Sequence, residues 1–112
     1  MSKISGMEVC FKKEYLKQLY ENGKTTDKNY RFQPQIVNKY CKVINMLRAV
    51  SCIEDLFKFN SLNYEKLKGD KEGISSVRVN DQYRIEFTVE KIVSEIVVTV
   101  CNIIELSNHY TK

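Results

Sequence analysis

Cationic side chains crowd one stretch of the sequence, from Asn63 to Val89. Lys66, Lys68 and Lys71 share a short basic loop, and Arg78 and Arg84 follow on two alternating segments. Lysine and arginine can neutralise the charge that develops on a pentavalent phosphorane, and the planar arginine fork holds two phosphate oxygens at once. The only imidazole, His109, stands beside Tyr110 near the end of the sequence. Histidine titrates near neutrality and can take or give a proton, although a lone histidine near a terminus is ordinarily incidental. No Ser-His-Asp set and no carboxylate cluster of the two-metal kind can be identified. Phosphodiester cleavage by such a set of groups would be metal-free, with the 2′-hydroxyl of RNA as the nucleophile.

These cations need a scaffold, and the pattern from Ser76 to Val89 predicts a β-hairpin. Val77, Val79, Tyr83, Ile85, Phe87 and Val89 alternate as a core face. Ser76, Arg78, Arg84, Glu86 and Thr88 alternate as an exposed one. A turn of three residues, Asn80-Asp81-Gln82, keeps every apolar residue inward and sets Arg78 opposite Arg84. Two like charges opposite each other cost up to about 1 kcal/mol unless an anion sits nearby. Glu86 or a bound phosphate would serve. Charge on a solvated strand is common, so the hairpin alone does not establish phosphate binding.

The remaining elements read as follows. Glu8–Phe11 is a short β-prone segment, and Lys12 to Asn22 is helical, with Tyr15, Leu16, Leu19 and Tyr20 on one face and Gly23 ending it. Lys24 to Arg31 is a polar connection. A second helix runs from Pro34 to about Val50, with Ile36, Tyr40, Val43, Ile44 and Leu47 inward. Its other side carries Lys39, Lys42 and Arg48, which we read as a solvated face rather than an RNA contact. Ile53 to Phe57 suits a short helical turn. The basic loop contains Gly69 and Gly73, which allow sharp turns and close ligand approach without the spacing of a phosphate-binding P-loop. A last strand, Glu95 to Leu106, is apolar on both faces, which predicts a central position. The expected fold is α+β: an N-terminal strand, a helical hairpin, then a three-stranded antiparallel meander forming a curved sheet with the helices on one face.

Length and composition suit one domain over residues 1–112, and a charge of +4 permits an anionic partner without requiring one. The four cysteines, at 10, 41, 52 and 101, show no CxxC spacing. They read as small buried hydrophobes in a reducing compartment, with no disulfide. No signal peptide opens the chain and no apolar run approaches the roughly 18 residues of a membrane span, so the expected location is the cytoplasm.

The block Leu67-Lys68-Gly69-Asp70-Lys71-Glu72-Gly73, followed by Ser76-Val77-Arg78-Val79-Asn80 and Tyr83-Arg84-Ile85-Glu86-Phe87, resembles the core of HigB toxins of the RelE/ParE toxin-antitoxin superfamily. The ending Glu105-Leu106-Ser107-Asn108-His109-Tyr110 is similar to theirs, and the order of elements agrees over nearly the whole chain.

The resemblance implies a metal-independent endoribonuclease that cuts mRNA in the A site of the 70S ribosome, needs no cofactor, and leaves a 2′,3′-cyclic phosphate and a 5′-hydroxyl. Lys68 matches the family's LKGD lysine, Arg84 the phosphate-holding arginine after an aromatic residue, and His109 the catalytic histidine. Tyr110 would stack on a base or share the proton transfer. Charge and position, rather than the resemblance, make Lys66 and Arg78 expected RNA contacts, and Lys71 and Tyr83 are placed with them. Family members carry a histidine where this chain has Glu65, which could itself be the base, and some carry Asp-Tyr where it has Ser107-Asn108. The implied partner is a helix-turn-helix antitoxin of the HigA kind in a heteromeric complex, the free toxin being a monomer and not bound to membrane. Two other readings share the fold: a ParE-like toxin that poisons gyrase, and a catalytically silent member that only binds its antitoxin.

Overall fold

The alternation from Val77 to Val89 is the seam along which sheet and helices join. The computed structural model describes residues 6–93 and 97–108. Within them a five-stranded sheet runs in the order β1-β5-β4-β3-β2. Its strands are β1 (Gly6–Phe11), β2 (Glu65–Lys66), β3 (Ser75–Arg78), β4 (Tyr83–Val93) and β5 (Val97–Asn108). Strands β3, β4 and β5 form the antiparallel meander, and β1 joins β5 in parallel. The two-residue β2 was not legible in the basic loop. It pairs Glu65 with Ser76 and Lys66 with Ser75 at the sheet edge.

The helices α1 (Glu14–Asn22) and α2 (Pro34–Ala49) lie on one face of the sheet. Gly23 ends α1 at φ 79°, and its N–H donates to the Leu19 carbonyl at 3.1 Å, a left-handed cap open to glycine at little cost. Pro34 opens α2, where its missing N–H is not needed. Ile36, Tyr40, Val43, Ile44 and Leu47 all point inward as their spacing predicts, against Val77, Ile85, Phe87 and Ile103. The Tyr40 hydroxyl is buried in this core and donates to the Leu16 carbonyl at 2.7 Å, joining the two helices. Ile53–Lys58 is a 3-10 turn close to the expected Ile53–Phe57.

Two features of the sheet shape the face away from the helices. The first is the β3–β4 turn. Val79 N–H donates to the Tyr83 carbonyl, and Asn80 Oδ1 accepts from the N–H groups of Gln82 and Tyr83, which fixes the three-residue loop. Arg78 and Arg84 are therefore direct cross-strand partners, as expected. The second is a bulge. Between Glu86 and Phe87 the pairing on β5 jumps from Glu105 to Ile103, so Ile104 is an extra residue. Side chains alternate faces along a strand, and the insertion reverses that alternation. Ile103 and Leu106 both stay in the core, while Glu105 and Ser107 turn to the opposite face beside Glu86 and Arg84.

The cysteine expectation needs correction. Cys101 is buried, but Cys41 and Cys52 are only half-buried and Cys10 is exposed; all four are free thiols. Cys10 and Cys101 sit on neighbouring strands at consecutive register positions and so face opposite sides of the sheet. Among the described residues no helix is long and apolar enough to cross a membrane.

Candidate active site

The face expected to be solvated is largely covered. Ser76 is fully buried, Arg84 is 9% exposed and Glu86 is 7% exposed. The cover comes from the basic segment, which leaves β2 and folds through the turn Gly69–Lys71 back to β3, closed by the Leu67 N–H donating to the Ile74 carbonyl at 2.8 Å. Its side chains reach down to the strands. Lys71 Nζ meets Glu86 Oε2 at 2.8 Å, and Glu65 Oε1 accepts from Arg84 Nη1 at 3.4 Å. Arg84 Nη1 also donates to Ser76 Oγ at 2.9 Å.

A cleft of about 530 Å³ remains between this segment and the C-terminal end of β5. Its walls bring together Glu65, Lys68, Lys71 and Arg84 with Glu86, Glu105, Ser107 and Asn108. Lys68 is exposed and makes no ion pair with a described residue. Glu105 receives Lys13 at 3.3 Å from the start of α1. The β1–β5 pairing ends at Ile103, and beyond it the Leu106 N–H donates to the Tyr15 hydroxyl at 3.1 Å, so α1 takes over the support of β5 where β1 runs out. Burial pushes the Tyr15 phenol up to about 12, which keeps it a neutral hydroxyl at this strand end.

Glu65, Lys68, Lys71 and Arg84, all singled out by the sequence, meet in one cleft. Arg78 lies on the same sheet face but pairs with Asp81 of the turn, which relieves the expected repulsion from Arg84. Glu86, considered as the anion for that arginine pair, receives Lys71. Lys66 lines neighbouring cavities and not this cleft. Tyr83 is not brought to this cleft: its half-buried ring meets Phe32 edge-on at 5.5 Å, on the helix face of the sheet. His109 and Tyr110 fall outside the described residues, and His109 follows Asn108 of the cleft wall directly in the chain.

Ser76 and Glu105 were missed as parts of the site. Ser76 shares strand parity with Arg78, so its face was readable, but its bond to Arg84 is a diagonal contact across two strands. Glu105 reaches the cleft only because of the bulge at Ile104, which no residue type announces. Chemically, the cleft offers a fixed guanidinium, two lysines and three carboxylates, of which Glu86 and Glu105 are already paired with lysines and Glu65 with Arg84.

The family model for the RelE-like toxin of the type II toxin-antitoxin system HigB matches residues 9–100, and the chain belongs to this family. It is 35% identical over 82 residues to Toxin HigB-1 of Vibrio cholerae serotype O1 (strain ATCC 39315 / El Tor Inaba N16961), an alignment covering 72% of this chain and 82% of that one. Among solved structures it resembles a YoeB/ParE toxin from Agrobacterium tumefaciens with a TM-score of 0.51 and 24% identity, over 93% of this chain and all of the other. That likeness concerns the fold. Membership of a type II system implies an antitoxin partner.

Proposed function

We propose that the protein is a ribosome-dependent mRNA endoribonuclease, and that the cleft holds the scissile phosphate. The observation that carries this reading is the convergence of Arg84, Lys68 and Lys71 with the carboxylate of Glu65 in one cleft. Arg84 is held from behind by the buried Ser76 hydroxyl, so its fork is positioned before any substrate arrives. Lys68, exposed at the rim, supplies the second charge. In the reaction the 2′-oxygen forms a bond to phosphorus and the bond to the 5′-oxygen breaks. The proton of the 2′-hydroxyl passes to a base and the 5′-oxygen gains one from an acid. Glu65 and His109 are the pair we assign to these transfers, with Tyr110 beside the base of the substrate. The products are a 2′,3′-cyclic phosphate and a 5′-hydroxyl.

Glu65 is salt-bridged to Arg84 in the free protein, and an incoming phosphate competes with it for the guanidinium. Substrate binding would thus release the carboxylate at the place where a base is required. We further assign to the protein a cytoplasmic location and a HigA-like antitoxin as the partner that restrains it.

Expression of the chain alone is expected to stop growth and translation, with Arg84→Ala and His109→Ala each relieving the arrest. Primer extension on mRNA bound to programmed ribosomes reads the cut directly, and a gyrase cleavage assay in parallel separates the gyrase-poisoning alternative. Full toxicity in both variants would remove the cleft as the site. Arrest without mRNA cuts would remove the nuclease reading.

A further inference from the structure

A second and larger cavity, about 880 Å³, lies on the other side of the basic segment from the cleft. It is roofed by the same chain: Leu67 and Lys68 line both spaces. Ser75 and Val89, which form its floor, belong to the helix face of the sheet, so the segment from Lys66 to Gly73 is a wall with the cleft on one side and this cavity on the other. Apart from Lys68, which it shares with the cleft, the proposed chemistry uses none of its lining.

The lining is that of a site for a flat, partly apolar ligand with a charged end. Tyr64 presents an aromatic ring, anchored by its hydroxyl to Ser75 Oγ at 2.9 Å and packed against Phe57 and Phe87. Ile74, Leu67 and Val89 add apolar surface, and Lys66 and Lys91 stand at the edge with Lys68. Glu54 and Glu72 place hydrogen-bond acceptors there. Gly69 and Gly73, at φ 67° and 92°, leave open space where a side chain would project, so the backbone itself borders the cavity. Pockets of some 300–1,000 Å³ with apolar walls and a few polar groups are the usual form of small-ligand sites. An aromatic platform with lysines along the strand path is how proteins hold single-stranded nucleic acid.

Resting on the endoribonuclease reading, the geometry points to a base-binding pocket: the cavity receives the base of a nucleotide flanking the scissile phosphate, with the RNA strand crossing the Leu67-Lys68 wall. The two spaces then form one extended site, the cleft gripping the phosphate and the cavity helping to select the position of the cut.

The test uses the full chain and an uncleavable RNA trinucleotide bearing 2′-O-methyl groups at its first and second sugars, which removes the nucleophile of both linkages. Two-dimensional amide NMR should show the trinucleotide shifting Gly69, Gly73, Val89 and Lys91 as well as cleft residues Glu65 and Ser107, whereas inorganic phosphate shifts only the cleft. Ile74→Trp, a bulky fill at a half-buried loop position, should weaken the trinucleotide by about tenfold. It should leave phosphate binding unchanged and alter the preferred cut on ribosome-bound mRNA. Tyr64→Leu should act in the same direction. Shifts confined to the cleft, or an Ile74→Trp protein with unaltered affinity and cut pattern, would overturn the inference. Arg84→Ala distinguishes the two claims. If it leaves trinucleotide affinity intact while Ile74→Trp reduces it, the phosphate assignment fails and the cavity stands.

Discussion

Replacing Arg84 tests structure and chemistry together, and the two effects can be worked out separately. Its side chain is only 11% exposed and makes a 2.9 Å bond to Ser76 Oγ and a 3.4 Å ion pair to Glu65. Ser76 is fully buried, so Arg84→Ala leaves a hydroxyl without that donor, which costs about 1–3 kcal/mol. Glu65 is half-exposed and can be rehydrated, so losing the ion pair adds little. The expected result is a folded protein whose unfolding free energy falls by that amount, seen as a lower urea midpoint at unchanged slope. Cleavage should drop by about 10²–10³-fold, the usual loss when one preorganised donor to a developing anion is removed. Arg84→Lys keeps the charge but not the fork or the reach to Ser76, and should recover only a small part of that rate. Primer extension on programmed ribosomes measures the rate, and urea melts followed by circular dichroism measure the stability. Wild-type cleavage by Arg84→Lys would refute the argument that the positioned fork, rather than the charge, does the chemistry.

Other outcomes follow from the same contacts. Glu65→Gln should lower the cleavage rate by about 10²–10⁴-fold if Glu65 is the base, and tighten phosphate binding because the anion no longer competes with a carboxylate for Arg84; faster cleavage would assign Glu65 only to restraint. Deleting Ile104 should abolish cooperative unfolding, because Glu105 would turn into the core and Leu106 out of it; a normal thermal melt would count against the bulge as the device that aims β5. Tyr15 has its pKa raised from 10.0 to about 12, so the stability it contributes is intact below pH 10 and is lost as pH rises toward 12. That loss is about 2–3 kcal/mol. Tyr15→Phe should reduce but not remove this alkaline limb in pH-dependent melts, since burial also raises the Tyr40 phenol and the Cys101 thiol, while costing about 1 kcal/mol at neutral pH through the lost bond from the Leu106 N–H. Gly23→Ala should destabilise by roughly 1 kcal/mol, since φ 79° suits no other residue as well; an unchanged melt would mean the α1 terminus contributes nothing to the fold.

Local pattern was enough for the elements whose signal is local. The 3.6-residue spacing from Ile36 to Leu47, Pro34 at one helix start and Gly23 at another helix end are properties of short windows. So is the parity that sets Val77, Ile85 and Phe87 inward once the Asn80-Asp81-Gln82 loop is counted. The cationic residues of the cleft were visible for the same reason, since loop and hairpin are adjacent in sequence. Cover was not visible. Ser76, Arg84 and Glu86 have the parity of a solvent face, and what buries them is a segment whose position depends on two ion pairs and a two-residue edge strand.

The strand β5 shows the division most clearly. Its apolar residues on both faces do fit a strand lying between β1 and β4, and that much belonged to the sequence. Which face each residue takes belonged to the tertiary structure. Side-chain direction along a strand is a count of residues from a fixed register, and one insertion changes the count for everything after it. That insertion, at Ile104, exists only in the pairing with β4, and it alone carries Glu105 and Ser107 to Arg84.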